Sequence, residues 1–190
     1  MNMQPALIVL FLLLQNSGTI FEIDLTPYEH TWVFEAVATQ LQLHELPYTS
    51  SRISKPLKVS RGQRIPFDDE RYRTIRAGRI RALMTSRVMG RIIGKVDHLS
   101  REDYYSYKYP EANIQMNAGA TFDYLQYRAE GSCFVRIHGD VVDCGCPIFD
   151  KSKFRLEAEP KVQLWIHAVV GEARGWLMVT NSILKDVGRE

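Results

Sequence analysis

The chain has 190 residues, 45% of them apolar and 24% charged, which is ordinary for a globular protein and is enough to bury a core. Its net charge of +2 argues against a protein dedicated to nucleic-acid binding. The charge is nevertheless uneven, because 14 Lys and Arg residues stand against four acids between Arg52 and Arg101. This asymmetry indicates an anionic partner, or else an arginine-rich face that acidic flanks neutralise in the fold.

The first segment contains an apolar run, Ala6–Leu14, that no Lys or Arg precedes. Its length fits the apolar region of a secretory signal and is too short to span a bilayer, so no integral membrane span is expected. Ser17 and Thr19 are the small residues near a cleavage position. We predict a leader over residues 1–20 and export to the periplasm or the cell exterior. A buried first strand in a cytoplasmic protein is the alternative.

Short β-type runs broken by turn residues follow the leader. Their composition predicts two strands or an extended segment within 21–38, and a further strand at Pro56–Val59. Residues 71–76 and 79–84 alternate on either side of Ala77-Gly78. This pattern predicts an arginine-rich hairpin that projects arginines from at least one exposed face.

The middle of the chain contains a further predicted pair of strands and a predicted helix. The strand pair lies in 87–96, where Gly90 and Gly94 interrupt the apolar runs. Ser100 suits the N-cap position of a short helix. Residues 106–113 are a predicted loop, and we place the boundary between two halves of the chain there.

The second half also consists of short strands. Gly139 separates the alternating runs 132–138 and 140–144, which predicts a β-hairpin. The remaining predicted strands are two across 114–127 and one each in 154–159, 162–170 and 175–180.

The three cysteines, Cys133, Cys144 and Cys146, lie close together. A Cys144–Cys146 bridge would close a strained small ring, whereas Cys133 can reach either partner if the two segments are adjacent strands. We predict a Cys133–Cys146 disulfide with Cys144 unpaired. A zinc site is the competing interpretation, but three thiols lack a well-spaced fourth ligand, and no metal is predicted.

Two segments resemble bacterial SH3-like domains. Val162–Val170 with Gly175–Val179 is similar to the closing hairpin of that family, which ends in W-x-x-V … G-x-x-G-W-V. His44–Gly62 looks like the family's opening, R-x-x-P-S-x-x-S-x-V-I-x-x-L-x-x-G, with His44 in place of the common Arg and Tyr48 in place of Ser.

This resemblance implies an all-β fold of two small SH3-like barrels with one short connecting helix. The first, arginine-rich barrel would span 21–105 and the second 112–190. The resemblance also implies a non-enzymatic binding module of the bacterial cell envelope that holds a cell-wall peptide, a protein or another polymer in a shallow groove. No binding residue of the family transfers to a position in this chain, so candidate site residues rest on their chemistry.

The sequence contains no recognised catalytic spacing, so no catalytic residue and no cofactor are predicted. Guanidinium groups pair with phosphate or carboxylate, and exposed aromatic rings contact partners. A nucleic-acid-binding β-barrel that uses the arginine-rich half is the alternative function. For the tryptophans the alternative is a cross-strand core pair, and for the tyrosines a seal between the halves. The candidate ligand-binding residues are Arg71, Arg73, Arg76, Arg79, Arg81, Tyr104, Tyr105, Trp165 and Trp176.

Overall fold

A computed structural model describes residues 20–24 and 32–189, with Trp32 and Arg189 described by their backbone alone. All but the last residue of the predicted leader lies outside these residues. The described strands are β1 (Phe21–Ile23), β2 (Trp32–Ala36), β3 (Gln40–Leu41), β4 (Leu57–Lys58), β5 (Phe67–Arg76), β6 (Gly78–Ala82), β7 (Ser86–Gly94), β8 (His98–Leu99), β9 (Glu111–Met116), β10 (Thr121–Tyr127), β11 (Ser132–Ile137), β12 (Asp140–Gly145), β13 (Phe154–Ala158), β14 (Lys161–Val170), β15 (Ala173–Met178) and β16 (Leu184–Arg189). One α-helix, α1 (Arg101–Ser106), and a 3₁₀ turn at Pro147–Phe149 complete the described elements.

The predicted all-β class is confirmed, and several local predictions agree with the structure. Ser100 caps α1, where its hydroxyl accepts a hydrogen bond from the Asp103 amide at 3.0 Å. The hairpin around Gly139 forms as β11 and β12, in which Cys133 lies opposite Cys144. The Cys133–Cys146 disulfide is present and Cys144 is a buried free thiol.

Two large sheets organise the described chain. The seven-stranded sheet has the order β13-β6-β10-β11-β12-β7-β9, and all its strands come from residues 78–158. The five-stranded sheet has the order β15-β14-β5-β1-β8 and takes all its strands except β8 from the flanking segments. The 78–158 segment is therefore inserted between β5 and β14, which pair with each other.

The predicted arginine-rich hairpin is wrong. β5 pairs with β1 on one side and β14 on the other, so it has no edge left for β6. The chain changes sheets at Ala77, and β6 pairs instead with β10 and β13. Residues 71–76 lie in β5 and residues 79–82 in β6, so both predicted arms contain a strand, but the pairing of these strands depends on strands far away in the sequence.

One other predicted strand pair differs from the structure. Residues 87–96 contain a single strand, β7, rather than two. Gly90 does not break it; a Cβ there would lie 2.1 Å from the Asp143 carbonyl oxygen, so glycine permits close contact with β12. The two strands predicted on either side of Ala118-Gly119 are present as β9 and β10, and each pairs with strands other than its neighbour.

The two predicted closed barrels are not found in the described part of the chain. Strands from 21–105 and from 112–190 are mixed in both large sheets. The seven-stranded sheet curls around one apolar cluster, since residues of its two edge strands, such as Met116 and Phe154, share that cluster. A second cluster, which includes Phe21 and Phe134, lies between the two large sheets.

A third cluster lies beneath the N-terminal end of β5 and the β14–β15 hairpin. It joins Leu41, Leu43 and Val59 to Ile166 and Leu177. The two segments that resemble SH3-like domains thus pack against each other, although 99 residues lie between Gly62 and Val162. Both segments contribute to the same apolar cluster, and two SH3-like repeats are not confirmed.

Candidate functional site

Four of the nine candidate residues lie on the outer face of the five-stranded sheet. Arg71 and Arg73 come from β5, Trp165 from β14 and Trp176 from β15. Strand alternation places them there, because the intervening residues of β5 and β14 face the apolar clusters. Arg71 is opposite Trp165, and its guanidinium carbon lies 5.0 Å from the centre of the Trp176 ring.

The two arginines of this face are held in internal ion pairs. Arg71 Nη1 donates to Glu22 Oε1 at 3.1 Å, and Arg73 Nε donates to Glu22 Oε2 at 2.8 Å. Arg73 is only 2% exposed and also donates to the Pro47 carbonyl. Glu22 and these two arginines therefore compensate each other's charge before any ligand arrives, and removing one partner would leave a costly unpaired charge.

The two tryptophans do not form a directly opposed pair. Trp165 lies opposite Met178, and Trp176 lies opposite His167. Trp165 is fully buried with its ring edge-on to His44, at 5.1 Å between centroids. Trp176 is 8% exposed, so both rings are buried even though they lie on the outer face of the sheet.

The other three candidate arginines are separated from this face. Arg76 is exposed at the end of β5, whereas Arg79 and Arg81 lie on β6 in the seven-stranded sheet. Arg81 Nε is 2.5 Å from Glu157 Oε1. The five arginines thus form no continuous surface.

Tyr104 anchors α1 on the seven-stranded sheet. Its hydroxyl donates to Asp143 Oδ2 at 2.6 Å, and the guanidinium carbons of Arg91 and Arg128 lie 4.8 Å and 4.7 Å from its ring centre. Burial and the hydrogen bond with Asp143 raise the pKa of Tyr104 to about 12. Tyr104 is 3% exposed, whereas Tyr105 is 63% exposed and accessible to a partner.

A carboxylate and histidine cluster borders Arg71, and the sequence reasoning missed it. One potential ligand atom from each of Glu22, Asp24 and His98 lies within 4.8 Å of the others. His98 Nε2 is 3.1 Å from Asp24 Oδ1, and this hydrogen bond raises the pKa of His98. Arg71 and Arg73 already supply positive charge to Glu22, so the arrangement favours an ion-pair network over a cation site.

A second histidine is held by an aspartate on the same face. His167 Nδ1 is 2.5 Å from Asp68 Oδ1, and Arg174 Nη1 donates to Asp68 Oδ2 at 2.7 Å. The hydrogen bond from His167 and the charge of Arg174 lower the pKa of Asp68. No serine, threonine or cysteine side chain of the described residues bonds to His167, so the nucleophile of a triad is missing there.

A shallow groove lies beside these residues, where the 43–54 segment runs along β15. His44 and Trp176 exchange two backbone hydrogen bonds of 2.7 Å, and His44 also bridges to Ile53. The resulting groove, here called the His44 groove, has a volume of about 340 Å³. It is lined by Leu43, His44, Glu45, Arg52, Ile53, Ser54, Lys55 and Arg174.

His44, Arg52 and Lys55 belong to the segment that resembles an SH3-like opening, but the sequence analysis did not identify them as candidate site residues. Arg174 could not be assigned to the His44 groove, because only the pairing of His44 with Trp176 brings β15 alongside. Burial lowers the pKa of His44, which favours its neutral form in the wall of the groove.

No protein-family model, curated protein or solved structure matches this chain. Within the described residues, no helix has the length and apolar character needed to cross a membrane.

Proposed function

We propose that this protein is a non-enzymatic binding module of the bacterial cell envelope, which recognises a peptide or another anionic polymer in the His44 groove. One observation carries the proposal: the segment that resembles an SH3-like opening lines this shallow groove, and its His44 pairs with Trp176 of the segment that resembles the closing hairpin. In that family a peptide or polymer is held in a groove of this kind, close to loops that vary between members.

The charge of the His44 groove supports an anionic ligand. Arg52, Lys55 and Arg174 contribute three cations, against two carboxylates, Glu45 and the Asp68 that pairs with Arg174. Glu45 is 3.6 Å from Arg52, and both side chains are largely exposed, so their mutual attraction is weak. Lys55 has no carboxylate partner among the described residues. An anionic polymer would therefore find a positive surface that is accessible to it.

The groove also offers apolar contact. Ile53 is 47% exposed at its edge, and Leu43 lies beneath it in the third apolar cluster. A ligand with both carboxylates and apolar groups, such as a cell-wall peptide, would use both features.

We also propose that the protein has no enzymatic activity and that it is exported. His98 and His167, the two aspartate-bound histidines, form no hydrogen bond with a serine, threonine or cysteine side chain among the described residues. His44 Nδ1 lies 3.2 Å from Ser51 Oγ, but no carboxylate of the described residues pairs with His44. The Cys133–Cys146 disulfide favours an oxidising compartment.

The test compares two pairs of substitutions that remove the same charge. Arg52→Gln with Lys55→Gln alters the His44 groove, whereas Arg76→Gln with Arg79→Gln alters exposed arginines elsewhere. Binding to isolated peptidoglycan and to poly-glutamate is measured by sedimentation and calorimetry. We expect the groove variant to weaken binding about three- to tenfold, because each exposed ion pair is worth at most about 1 kcal/mol. The control should change it less than about twofold.

Single-stranded DNA serves as the comparison ligand. If it binds more tightly than both polymers and its affinity falls steeply with salt, the nucleic-acid alternative is favoured. If the Arg76 and Arg79 variant loses as much affinity as the groove variant, the ligand contacts Arg76 and Arg79 as well, and the His44 groove is not its specific site. Absence of binding to peptidoglycan and poly-glutamate at low salt would reject the proposal.

A further inference from the structure

The outer edge of β13 is a second candidate interaction site, remote in sequence from the His44 groove. β13 ends the seven-stranded sheet and pairs with β6 alone among the described strands. The N–H and C=O groups on its other side therefore lack a strand partner within the described part of the chain. Such an edge is a template for the addition of an extended segment.

An apolar groove of about 470 Å³ lies next to this edge. Its apolar wall includes Phe149 and Leu83, which are 60% and 44% exposed. Large apolar side chains that are exposed together mark interaction surfaces more often than scattered ones do. The lining residues are Leu83, Ile148, Phe149, Lys151, Phe154, Arg155 and Leu156.

Phe149 is held in place before any partner binds. It ends the 3₁₀ turn that begins directly after Cys146, and the disulfide ties Cys146 to Cys133 on β11. On its other side the Tyr127 ring contacts it edge-on, with 6.0 Å between the ring centres. A fixed aromatic anchor loses little conformational entropy on binding, which favours affinity.

The charge around this groove specifies an acidic partner. Two carboxylates lie near it and both are already neutralised: Asp150 by Lys153 at 2.8 Å, and Glu157 by Arg81 at 2.5 Å. Arg155 shares Glu157 at 3.3 Å, and Lys151 has no carboxylate partner among the described residues. Four cations thus surround two carboxylates, and the groove keeps a positive excess.

We propose that an extended peptide segment with alternating apolar and acidic residues adds as a strand to the outer edge of β13. One apolar side chain of the peptide packs against Phe149, and a neighbouring carboxylate of the peptide pairs with Lys151. The backbone of β13 provides hydrogen bonds, the groove selects the apolar residue and the excess charge selects the acid. This site does not depend on the proposed function, since it shares no residue with the His44 groove.

The probe is a short capped peptide in which leucine and glutamate alternate, and its binding to the full chain is measured by fluorescence anisotropy. A first comparison peptide carries lysine in place of glutamate. A second carries N-methyl groups on alternate residues, which remove the backbone donors that strand addition needs. We expect both changes to weaken binding at least about tenfold.

The variants use exposed positions so that folding is preserved. Phe149→Ala and Lys151→Glu should each weaken binding of the leucine–glutamate peptide about tenfold. Their matched controls are Met89→Ala, which truncates another exposed apolar side chain, and Lys95→Glu, which reverses another exposed charge. Circular dichroism verifies that all four variants are folded.

Hydrogen exchange of the β13 amides distinguishes strand addition from side-chain docking. Protection of these amides by the peptide supports the proposal, and unchanged exchange rejects it. Equal binding of the N-methylated peptide, or of the Phe149→Ala and Lys151→Glu variants, also rejects it. A dimer of this chain that protects the β13 amides without any peptide would assign the edge to a second copy and overturn the proposal.

Discussion

His44 and Trp176 are joined by two backbone hydrogen bonds of 2.7 Å, one in each direction. This link connects the 43–54 segment to β15 and forms one wall of the His44 groove. The close approach requires a small residue next to Trp176, and the chain has glycine there. A Cβ at Gly175 would lie 2.9 Å from the His44 carbonyl oxygen and 2.9 Å from Leu43 Cβ.

We predict that Gly175→Ala destabilises the fold by about 1–3 kcal/mol, because the added methyl group overpacks a closed contact and forces the 43–54 segment away from β15. Urea unfolding measures the loss. Gly145→Ala is the matched control, since a Cβ at Gly145 meets no atom within 4 Å. We expect the control to stay within about 0.5 kcal/mol of the parent protein. Equal stability of the two variants would show that the contact tolerates a side chain.

Local sequence patterns predicted the elements of this fold better than their pairing. A period of two identifies a strand and its faces, and it located β5, β6, β11, β12, β14 and β15. The period carries no information about which strand lies alongside. β5 and β6 are neighbours in the chain, yet β5 needs both its edges for β1 and β14. The prediction of a hairpin failed at this point.

The candidate site shows the same limit for charge. The sequence shows where the arginines are concentrated but not which acids they pair with. Arg71 and Glu22 are 49 residues apart, and their ion pair depends on the pairing of β1 with β5. The disulfide was predictable because Cys133 and Cys146 are only 13 residues apart, and Cys146 directly follows the hairpin of β11 and β12 that the sequence indicates clearly. The His44 groove could not be predicted, because it depends on the contact between the 43–54 segment and β15, which are far apart in the sequence.

Tyr104 provides a second test of the packing. We predict that Tyr104→Phe lowers the free energy of unfolding by about 1–2 kcal/mol, because Asp143 loses a hydrogen bond inside the protein but keeps Arg91 and Arg128. Thermal and urea unfolding measure the change. Tyr105→Phe removes a hydroxyl from a 63% exposed neighbour and should have no effect. A similar loss of unfolding free energy in both variants would mean that the hydrogen bond from Tyr104 to Asp143 does not stabilise the fold.

The free thiol of Cys144 should be inert in the native protein. Cys144 is 3% exposed, and burial raises its pKa to about 12, so almost no reactive thiolate forms near neutral pH. We predict that iodoacetamide leaves the native, non-reduced protein unmodified and labels one cysteine per chain in urea. Cys133 and Cys146 are protected in their disulfide in both conditions. Mass spectrometry measures the labelling. Rapid labelling of the native protein would contradict the buried position of Cys144.

His98 gives the stability of the protein a defined pH dependence. Its pKa in the folded state is raised above the ordinary value of 6.5, chiefly by the hydrogen bond with Asp24. A raised pKa means that the folded protein binds the proton more tightly, so this stabilisation is complete below pH 6.5 and is lost as the pH rises through the folded-state pKa. We predict that His98→Gln removes this contribution.

The measurement is the difference in unfolding free energy between the parent protein and His98→Gln, taken from urea titrations at several pH values between about 5 and 8. This subtraction matters because His44 acts in the opposite direction: its pKa is lowered by burial, so its effect reduces stability as the pH falls below 6.5. His44 is present in both proteins and cancels. The difference should be largest at acidic pH and should shrink as the pH rises, and Asp24→Asn should bring the pKa of His98, followed by NMR, back towards 6.5. A difference that does not vary with pH would mean that the contact between His98 and Asp24 does not hold in solution.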